Sequence, residues 1–340
     1  MKIKLGNIAY AVVQMVGNKS NADGVSFSSE KIEMGETTDF LLDLLDKSLK
    51  YDEMKHLDFI GGVQLNPVYN FVSSIFDDEA SFIKQANNLA TYLYQQSLHP
   101  SIRNGEFYVM KIDNCSIDEE LVEAIGLFKS ELHDVVLKAV NGANGIQIIP
   151  EKGMSLKKLD KGCVIFNKNR ADGYVVSVLD INSHDANYWT DAFLHAVPCK
   201  DNYHNTMNYI NFCKELVASD VMAHECKAEK AIMLNKAMDV LQVSDDLDFE
   251  SFVGKSFGNE LKEQVALFRN YYEEEHQVRL ENSVSASSEA LKKKTLSKFT
   301  TIKLDANFDI KVKGNSNLLE HGYDKTRGMN YYKLFYEKEK

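Results

Sequence analysis

Between positions 105 and 180 the sequence consists of short β-rich runs separated by turn signals, and this pattern limits the fold more than any other feature. The runs are EFYVMKID, LVEAIGLFKS, DVVLKAV, GIQIIP, KGCVIFN and YVVSVLDI. The turn signals between them are Asp113-Asn114, Asn141-Gly142, Asn144-Gly145, Glu151-Lys152-Gly153 and Asp172-Gly173. Consecutive strands joined by short turns predict an antiparallel meander, because βαβ crossovers need longer helical connections.

Helical patterns lie on both sides of this region. Before it, Ile8–Val16 predicts a strand, and two segments, DFLLDLLDKSL and about 78–97, carry apolar residues at helical spacing. After it, the predicted helices are Trp189–Ala196, Asn205–Ser219, Cys226–Leu241 and Glu260–Glu281. We therefore predict an α+β fold with two domains. Residues 1–180 form a domain with a largely antiparallel sheet and helices, and residues 181–340 form a mainly helical domain.

The end of the chain differs in its residue pattern from both the β-rich region and the helical regions. A serine-rich stretch predicts a linker or hinge over 282–298. FTTIKL and FDIKVK flank Asp305-Ala306-Asn307 and predict a hairpin, NSNLLEHG predicts a short helix that ends before Gly322, and MNYYKLFYEK predicts a final strand. This β-β-α-β unit is too small to be stable alone, so we expect it to pack on the helical half or on a second chain.

The basic residues are concentrated in this last part of an acidic chain. The formal net charge is -11, yet the residues from Leu291 onward hold 12 Lys and Arg against 6 Asp and Glu. Such an asymmetry is typical of an anion-binding tail on an acidic body. In FDIKVK the apolar residues alternate with Asp309, Lys311 and Lys313, so one face of the strand is apolar and the other carries lysines.

A lysine-bearing face beside a flexible lysine segment can follow a phosphate backbone. The candidate DNA-binding residues are Lys292, Lys293, Lys294, Lys298, Lys303, Lys311 and Lys313. Lysines also protect the edge of a sheet against aggregation, so the pattern has a purely structural interpretation as well. Because the tail contains few arginines, bidentate readout of bases is not indicated, and any binding should tolerate most sequences.

Other features of the sequence narrow the class of protein. No secretory signal begins the chain, and no apolar run approaches the ~18 residues that a membrane helix needs, so we expect a soluble cytoplasmic protein with no membrane contact. The five cysteines form no CxxC pair, which fits a reducing compartment. No dinucleotide fingerprint, P-loop, HExxH or GxSxG motif occurs, so nucleotide binding and hydrolysis lack their usual signatures.

Two groups of residues could still carry metal or acid–base chemistry. Thiols and imidazoles cluster between positions 184 and 226, at His184, His195, Cys199, His204, Cys213, His224 and Cys226. Their spacing matches no zinc motif. The carboxylate–histidine pairs His184-Asp185 and Asp201-x-x-His204 would suit a hydrolytic site, but they lie near helix starts, where Asp often caps the helix. We therefore assign no catalytic residue, no metal and no cofactor.

Several phrases occur in order along the chain: GLFKSE, LDKGCVIFN, DGYVVSVLD, ANYWTDAFL, DNYHNTMNYINFCKEL and GYDKTRGMNYYKLFYE. In this order and spacing the chain resembles the NdpA/YejK-type nucleoid-associated proteins, in the branch typical of Bacteroidetes-like bacteria. The resemblance extends from the first strand to the last. It implies a cytoplasmic protein that co-localises with the bacterial nucleoid and associates with DNA, without a cofactor or a known catalytic motif. It also implies a type II topoisomerase as a partner for some members.

The acidic body limits how such a protein could hold DNA. DNA carries about one charge per ~1.7 Å, so a net charge of -11 opposes binding unless the basic residues face the duplex. A homodimer would place two basic tails side by side. We expect a non-enzymatic nucleoid-associated protein with weak, sequence-tolerant DNA binding. The alternatives are an adaptor or regulator of a DNA enzyme such as a type II topoisomerase, without direct DNA contact, and a metal-dependent nuclease.

Overall fold

The computed structural model describes residues 2–33, 35–131, 133–142, 145–155, 159–180, 188–243, 247–292, 301–305, 307–312 and 318–338. These residues form two compact units, a first unit (Met1–Cys199) and a second unit (Lys200–Lys340). Helices and antiparallel strands occur together, which confirms the predicted α+β class.

The first unit is built around one large sheet. The strands of the first unit are β1 (Ile3–Lys4), β2 (Asn7–Val16), β3 (Val25–Ser26), β4 (Lys55–Leu57), β5 (Gly105–Ile117), β6 (Glu120–Ser130), β7 (His133–Gly142), β8 (Gly145–Met154), β9 (Lys161–Phe166), β10 (Val175–Asp180) and β11 (Ala196–Pro198). Nine of these strands form the sheet in the order β11-β4-β10-β9-β6-β5-β2-β3, with β1 also paired to β5. Every pairing between these strands is antiparallel, as predicted. The meander β5-β6-β9-β10 is interrupted only by the β7–β8 hairpin, which forms a separate two-stranded sheet.

Helices cover both faces of this sheet. The α-helices of the first unit are α1 (Thr38–Ser48), α2 (Pro67–Asp77) and α3 (Phe82–Gln96), and a π-helix spans Tyr188–Leu194. Because side chains alternate along a strand, Phe107 and Val109 join the core beneath α2, α3 and the π-helix. Met110 and Ile112 join the opposite core with α1. The apolar runs of the central strands are continuous because both of their faces are buried.

Two of the sequence predictions for this unit differ from the structure in detail. The sequence predicts a turn at Asp113-Asn114, but both residues lie within β5, at an irregularity in its pairing with β6. Asn114 has a φ of +57°, a conformation that asparagine tolerates, so the turn signal marks a bulge instead. The chain reverses later, at Asp118 and Glu119, which also have positive φ values. The helix predicted over Trp189–Ala196 is the π-helix.

A buried charge network crosses the end of β6. Lys129 is fully buried, and its Nζ lies 3.2 Å from Glu131 Oε1 and donates to the Arg103 carbonyl at 2.8 Å. The Tyr188 hydroxyl donates to Glu131 Oε1 at 2.8 Å, and the Glu131 amide donates to Asp160 Oδ2 at 2.9 Å. Burial lowers the pKa of Lys129. The charges of Lys129 and Glu131 therefore compensate each other at a site where both side chains are shielded from water.

The second unit begins with helices around an aromatic core. The helices are α4 (Asn202–Ala218), α5 (Lys227–Val243), α6 (Phe249–Phe257), α7 (Lys262–His276) and α8 (Ser288–Lys292). Phe212 lies between Phe249 and Tyr272, with ring centroids 5.8 and 5.4 Å apart, and Phe252 packs on Tyr209 at 5.3 Å. Sequence patterns predict α4, α5 and α7 but miss α6, which Asp248 caps by accepting from the Ser251 amide.

Short strands complete the second unit. They are β12 (Leu247–Asp248), β13 (Ser283–Val284), β14 (Thr301–Leu304), β15 (Phe308–Lys311), β16 (Leu319–Asp324) and β17 (Met329–Leu334). They pair as three two-stranded sheets: β12–β13, whose strands are separated by α6 and α7, and the hairpins β14–β15 and β16–β17. Within the segment predicted as a hinge, β13 and α8 are regular and contribute buried Val284 and Ala290.

The predicted helix in NSNLLEHG is wrong in its described part. Leu319–Gly322 belongs to β16, so the described part of the tail contains two hairpins rather than a β-β-α-β unit. Gly322 is not a helix cap but a strand residue opposite Tyr331. A Cβ at this position would lie 2.8 Å from Tyr331 Cζ, so a larger residue would displace the tyrosine ring.

None of the helices within the described ranges is long and apolar enough to cross a membrane.

Candidate nucleic-acid interface

The β14–β15 hairpin separates its apolar and charged side chains onto two faces. Its register places Ile302 opposite Ile310 and Lys303 opposite Asp309, and residues directly opposite each other share a face. Ile302 is only 1% exposed, whereas Lys303 and Lys311 are exposed. The predicted hairpin and its lysine-bearing face are therefore confirmed.

Helix α5 supports this hairpin from its apolar side. Strand β14 lies against α5, and the Asn235 side-chain amide donates to the Val312 carbonyl at 3.0 Å. A hairpin held in this way keeps Lys303 and Lys311 directed to solvent. Asp309 lies on the same face, so the charge of that face is partly compensated.

The remaining candidate lysines divide into two groups. Lys292 is the exposed last residue of α8, and that helix is anchored by buried Ala290. Lys293, Lys294, Lys298 and Lys313 lie outside the described residues.

A second basic feature, which the sequence does not predict, lies at the turn between β16 and β17. Asp324 organises the turn: its Oδ1 accepts from the amides of Thr326 (2.8 Å) and Arg327 (3.1 Å). Its carbonyl accepts from the Gly328 amide, and Gly328 has a φ of +65°. Lys325 and Arg327 are thereby exposed on a fixed turn, and the Arg327 side chain is 80% accessible although it lies 3.7 Å from Asp324. The sequence DKTRG, between two runs that can form strands, is a turn signal. The hairpin is not predicted because the run before this signal is predicted to form a helix.

Exposed aromatic rings lie in the same part of the chain. Tyr323 and Tyr331 on the β16–β17 hairpin and Tyr336 beyond it are exposed. Exposed rings next to cationic side chains are typical of surfaces that contact single-stranded nucleic acid, because bases stack on the rings while the cations contact phosphates.

This arrangement of a basic, aromatic tail on an α+β chain can be compared with known families. The family model described as nucleoid-associated protein YejK matches residues 12–327. The chain belongs to this family. The match includes the β14–β15 hairpin, β16 and the turn that carries Lys325 and Arg327. No curated protein matches the chain. Membership confirms the resemblance found in the sequence and supports a role at the bacterial nucleoid.

The described thiols and imidazoles of the sequence cluster lie in different surroundings. His195 and Cys199 belong to the first unit, where His195 Nε2 lies 3.0 Å from the Tyr92 hydroxyl and burial lowers its pKa. Cys213 is buried within α4, and burial raises the pKa of its thiol. His184 and Asp185 lie outside the described residues.

The pair Asp201 and His204 has a structural role. Asp201 Oδ1 accepts from the His204 amide at 2.8 Å and so caps α4. The His204 ring lies 3.1 Å from the Asn208 side-chain amide. Among the described residues, one group has the geometry of metal ligands, and it combines Cys226 with Glu229 and His321.

Proposed function

We propose that this nucleoid-associated protein is non-enzymatic, acts in the cytoplasm and binds DNA directly, weakly and with little sequence preference. The observation that carries the proposal is a set of five exposed basic side chains, Lys292, Lys303, Lys311, Lys325 and Arg327, which are together called the basic surface. These side chains are exposed in the last fifth of a chain whose net charge is -11. Lys293, Lys294, Lys298 and Lys313 are proposed to extend the same surface.

The chemistry of this surface favours phosphate contacts over base readout. Lysine is a point charge without a preferred plane, and Arg327 is the only described arginine of the surface. Specific reading of guanine generally uses bidentate pairs from several well-oriented side chains. Binding should therefore depend on the phosphate backbone and weaken steeply with salt.

Salt titration tests this proposal. If the surface neutralises about four phosphates, the slope of log K against log salt concentration should be near -3.6, at ~0.9 per contact. Fluorescence anisotropy with duplexes of unrelated sequence, from low to physiological salt, measures that slope. Failure to bind any duplex even at low salt would favour the alternative, an adaptor or regulator of a DNA enzyme such as a type II topoisomerase.

A nuclease assay tests the absence of catalysis. Supercoiled and linear DNA should remain intact after incubation with the protein and Mg²⁺, Mn²⁺ or Zn²⁺. Cleavage that depends on one of these ions and disappears with a chelator would establish the nuclease alternative instead.

The proposal includes a homodimer, for which the β7–β8 hairpin is the best support. In its register Leu137 lies opposite Pro150 and Ala139 opposite Ile148, so the central part of one face of the ribbon is apolar, with Lys152 opposite Val135 on the same face. On that face Val135, Leu137, Ile146 and Ile148 are 59%, 74%, 76% and 69% exposed. A two-stranded ribbon is marginally stable in water, and exposed apolar strands promote association.

Size and charge favour a second copy of this chain as the partner. Ten-residue strands about 4.8 Å apart give a ribbon face of roughly 340 Å². A single ribbon face is less than half of the ~800 Å² that each side of a stable interface buries. In a two-fold dimer each chain buries its own ribbon against its partner and also covers the ribbon of its partner. The buried area is then doubled to roughly 680 Å² per chain. Asp134 and Glu151 balance Lys138 and Lys152, so the ribbon itself has no net charge that would oppose contact with a second ribbon or attract DNA.

We expect Leu137→Asp with Ile148→Asp to convert the protein from a dimer to a monomer. The two carboxylates would be desolvated in the apolar contact, which costs far more than the contact provides. Light scattering coupled to size exclusion should change from twice the 38.5 kDa chain mass to that mass alone. The matched control is Lys138→Ala with Glu151→Ala, which removes the 3.1 Å ion pair on the other face and should leave a dimer. A wild-type protein that is monomeric at tens of micromolar would contradict the proposed dimer.

A further inference from the structure

We propose that Cys226, Glu229 and His321 form a zinc site that joins the first turn of α5 to strand β16. The Sγ atom, a carboxylate oxygen and an imidazole nitrogen of these residues all lie within 4.8 Å of one another. His321 is far from the other two in sequence and reaches them only because the β16–β17 hairpin folds back toward α5. This site goes beyond DNA binding and does not depend on it.

Helix capping fixes two of the three ligands. The Cys226 amide donates to Glu229 Oε2 at 2.8 Å, and the Glu229 amide donates to Cys226 Sγ at 3.5 Å. This reciprocal pattern is a capping box with cysteine in the place of serine. It holds the thiol and the carboxylate side by side at the start of α5. The other carboxylate oxygen, Glu229 Oε1, lies 3.6 Å from His321 Nε2.

The donor set suits zinc better than the hard divalent cations. Zinc takes thiolate sulfur at ~2.3 Å and imidazole nitrogen or carboxylate oxygen at ~2.0–2.2 Å, whereas Mg²⁺ and Ca²⁺ prefer oxygen alone. Ligand atoms at such bond lengths around one ion are separated by distances below the 4.8 Å found here, so only small side-chain movements are needed. A thiolate and a carboxylate together balance the charge of Zn²⁺, and water can take the fourth position.

A neighbouring carboxylate indicates excess negative charge at this place. The Glu225 carboxyl lies within hydrogen-bond reach of Glu229, so two carboxyl groups are adjacent at the start of α5. A bound cation would compensate the negative charge of adjacent carboxylates. Zinc binds the thiolate form of cysteine, so binding would release the proton of the Cys226 thiol to solvent.

The site would fix the hairpin that carries Lys325 and Arg327. His321 lies in β16, on the face that also holds Tyr332, and the turn follows three residues later. A metal bond from β16 to α5 would thus hold this part of the basic surface against the helical core.

The test is zinc binding by the untagged full-length protein, measured by competition with a chromophoric chelator. We expect one Zn²⁺ per chain in the wild type and at least a ~100-fold loss of affinity in Cys226→Ser and in His321→Ala. Serine is a preferred helix N-cap, so Cys226→Ser removes the thiolate without removing the cap. His276→Ala is the matched control, because His276 also contacts a glutamate, Glu215 at 2.8 Å, but has no thiol beside it.

Cobalt gives an independent measurement. With Co²⁺ in place of Zn²⁺, the wild type should show a thiolate-to-metal charge-transfer band that is absent in Cys226→Ser and present in His276→Ala. Absence of stoichiometric zinc binding in the wild type would overturn the proposal, as would equal affinity in the wild type and both ligand variants. Because the assay contains no DNA, its failure would leave the proposed DNA binding untouched.

Discussion

Replacing Glu131 with glutamine is expected to lower the free energy of unfolding of the first unit by about 3 kcal/mol, the scale found when one partner of a buried ion pair is removed. Glutamine keeps the size of the side chain and can still accept from the Tyr188 hydroxyl. It leaves the fully buried Lys129 without its counter-charge, 3.2 Å away. The loss therefore measures an uncompensated charge rather than a cavity.

The single tryptophan makes this measurement specific to the first unit. Trp189 is fully buried and donates to the Gly162 carbonyl at 3.2 Å, so its fluorescence in a urea titration reports the unfolding of that unit. Asp43→Asn is the matched control. It makes the same chemical change in the exposed pair with Lys47 on α1 and should cost less than ~0.5 kcal/mol.

Two further results identify the charge as the cause. Glu131→Gln combined with Lys129→Met should be less destabilising than Glu131→Gln alone, because the unpaired charge is gone. Burial lowers the native pKa of Lys129 below its ordinary 10.5, so between these values the unfolded chain binds more protons than the native one. The free energy of unfolding should therefore rise with pH through that window. Equal losses in the single and double variants would contradict the role assigned to the pair.

Features that depend on neighbouring residues could be predicted from the sequence. The strands of the first sheet alternate or run continuously apolar according to their burial, and short polar turns leave little choice but antiparallel pairing. The lysine face of the β14–β15 hairpin follows from the two-residue period alone, because Lys303 and Lys311 occupy alternate positions to Ile302 and Ile310.

Features that depend on distant residues could not be predicted. The sequence predicts a helix that includes Leu319–Gly322, because a short apolar pair fits a helix or a strand. Only the pairing with Met329–Leu334 shows that these residues form a strand. The same pairing creates the turn with Lys325 and Arg327 and brings His321 to Glu229. Cys226 belongs to the sequence cluster of seven thiols and imidazoles, but neither of its partners does.

Reversal of the charges at Lys303, Lys311, Lys325 and Arg327 should remove most of the salt dependence of DNA binding. At four contacts, wild-type affinity falls roughly 150-fold between 50 and 200 mM salt, and the Glu variant should lose most of this dependence and bind roughly 100-fold more weakly at 50 mM. These side chains are exposed, so circular dichroism should show an unchanged fold.

The control separates position from net charge. Changing Lys19, Lys47, Lys50 and Lys84 to Glu alters the charge by the same amount at exposed sites of the first unit. If long-range repulsion by the acidic body governed binding, both variants would weaken it equally. If the basic surface touches phosphates, the control should keep a slope near that of the wild type, since each lost contact lowers the slope by about 0.9. A control as weak as the test variant would refute direct contact and favour recruitment through a protein partner.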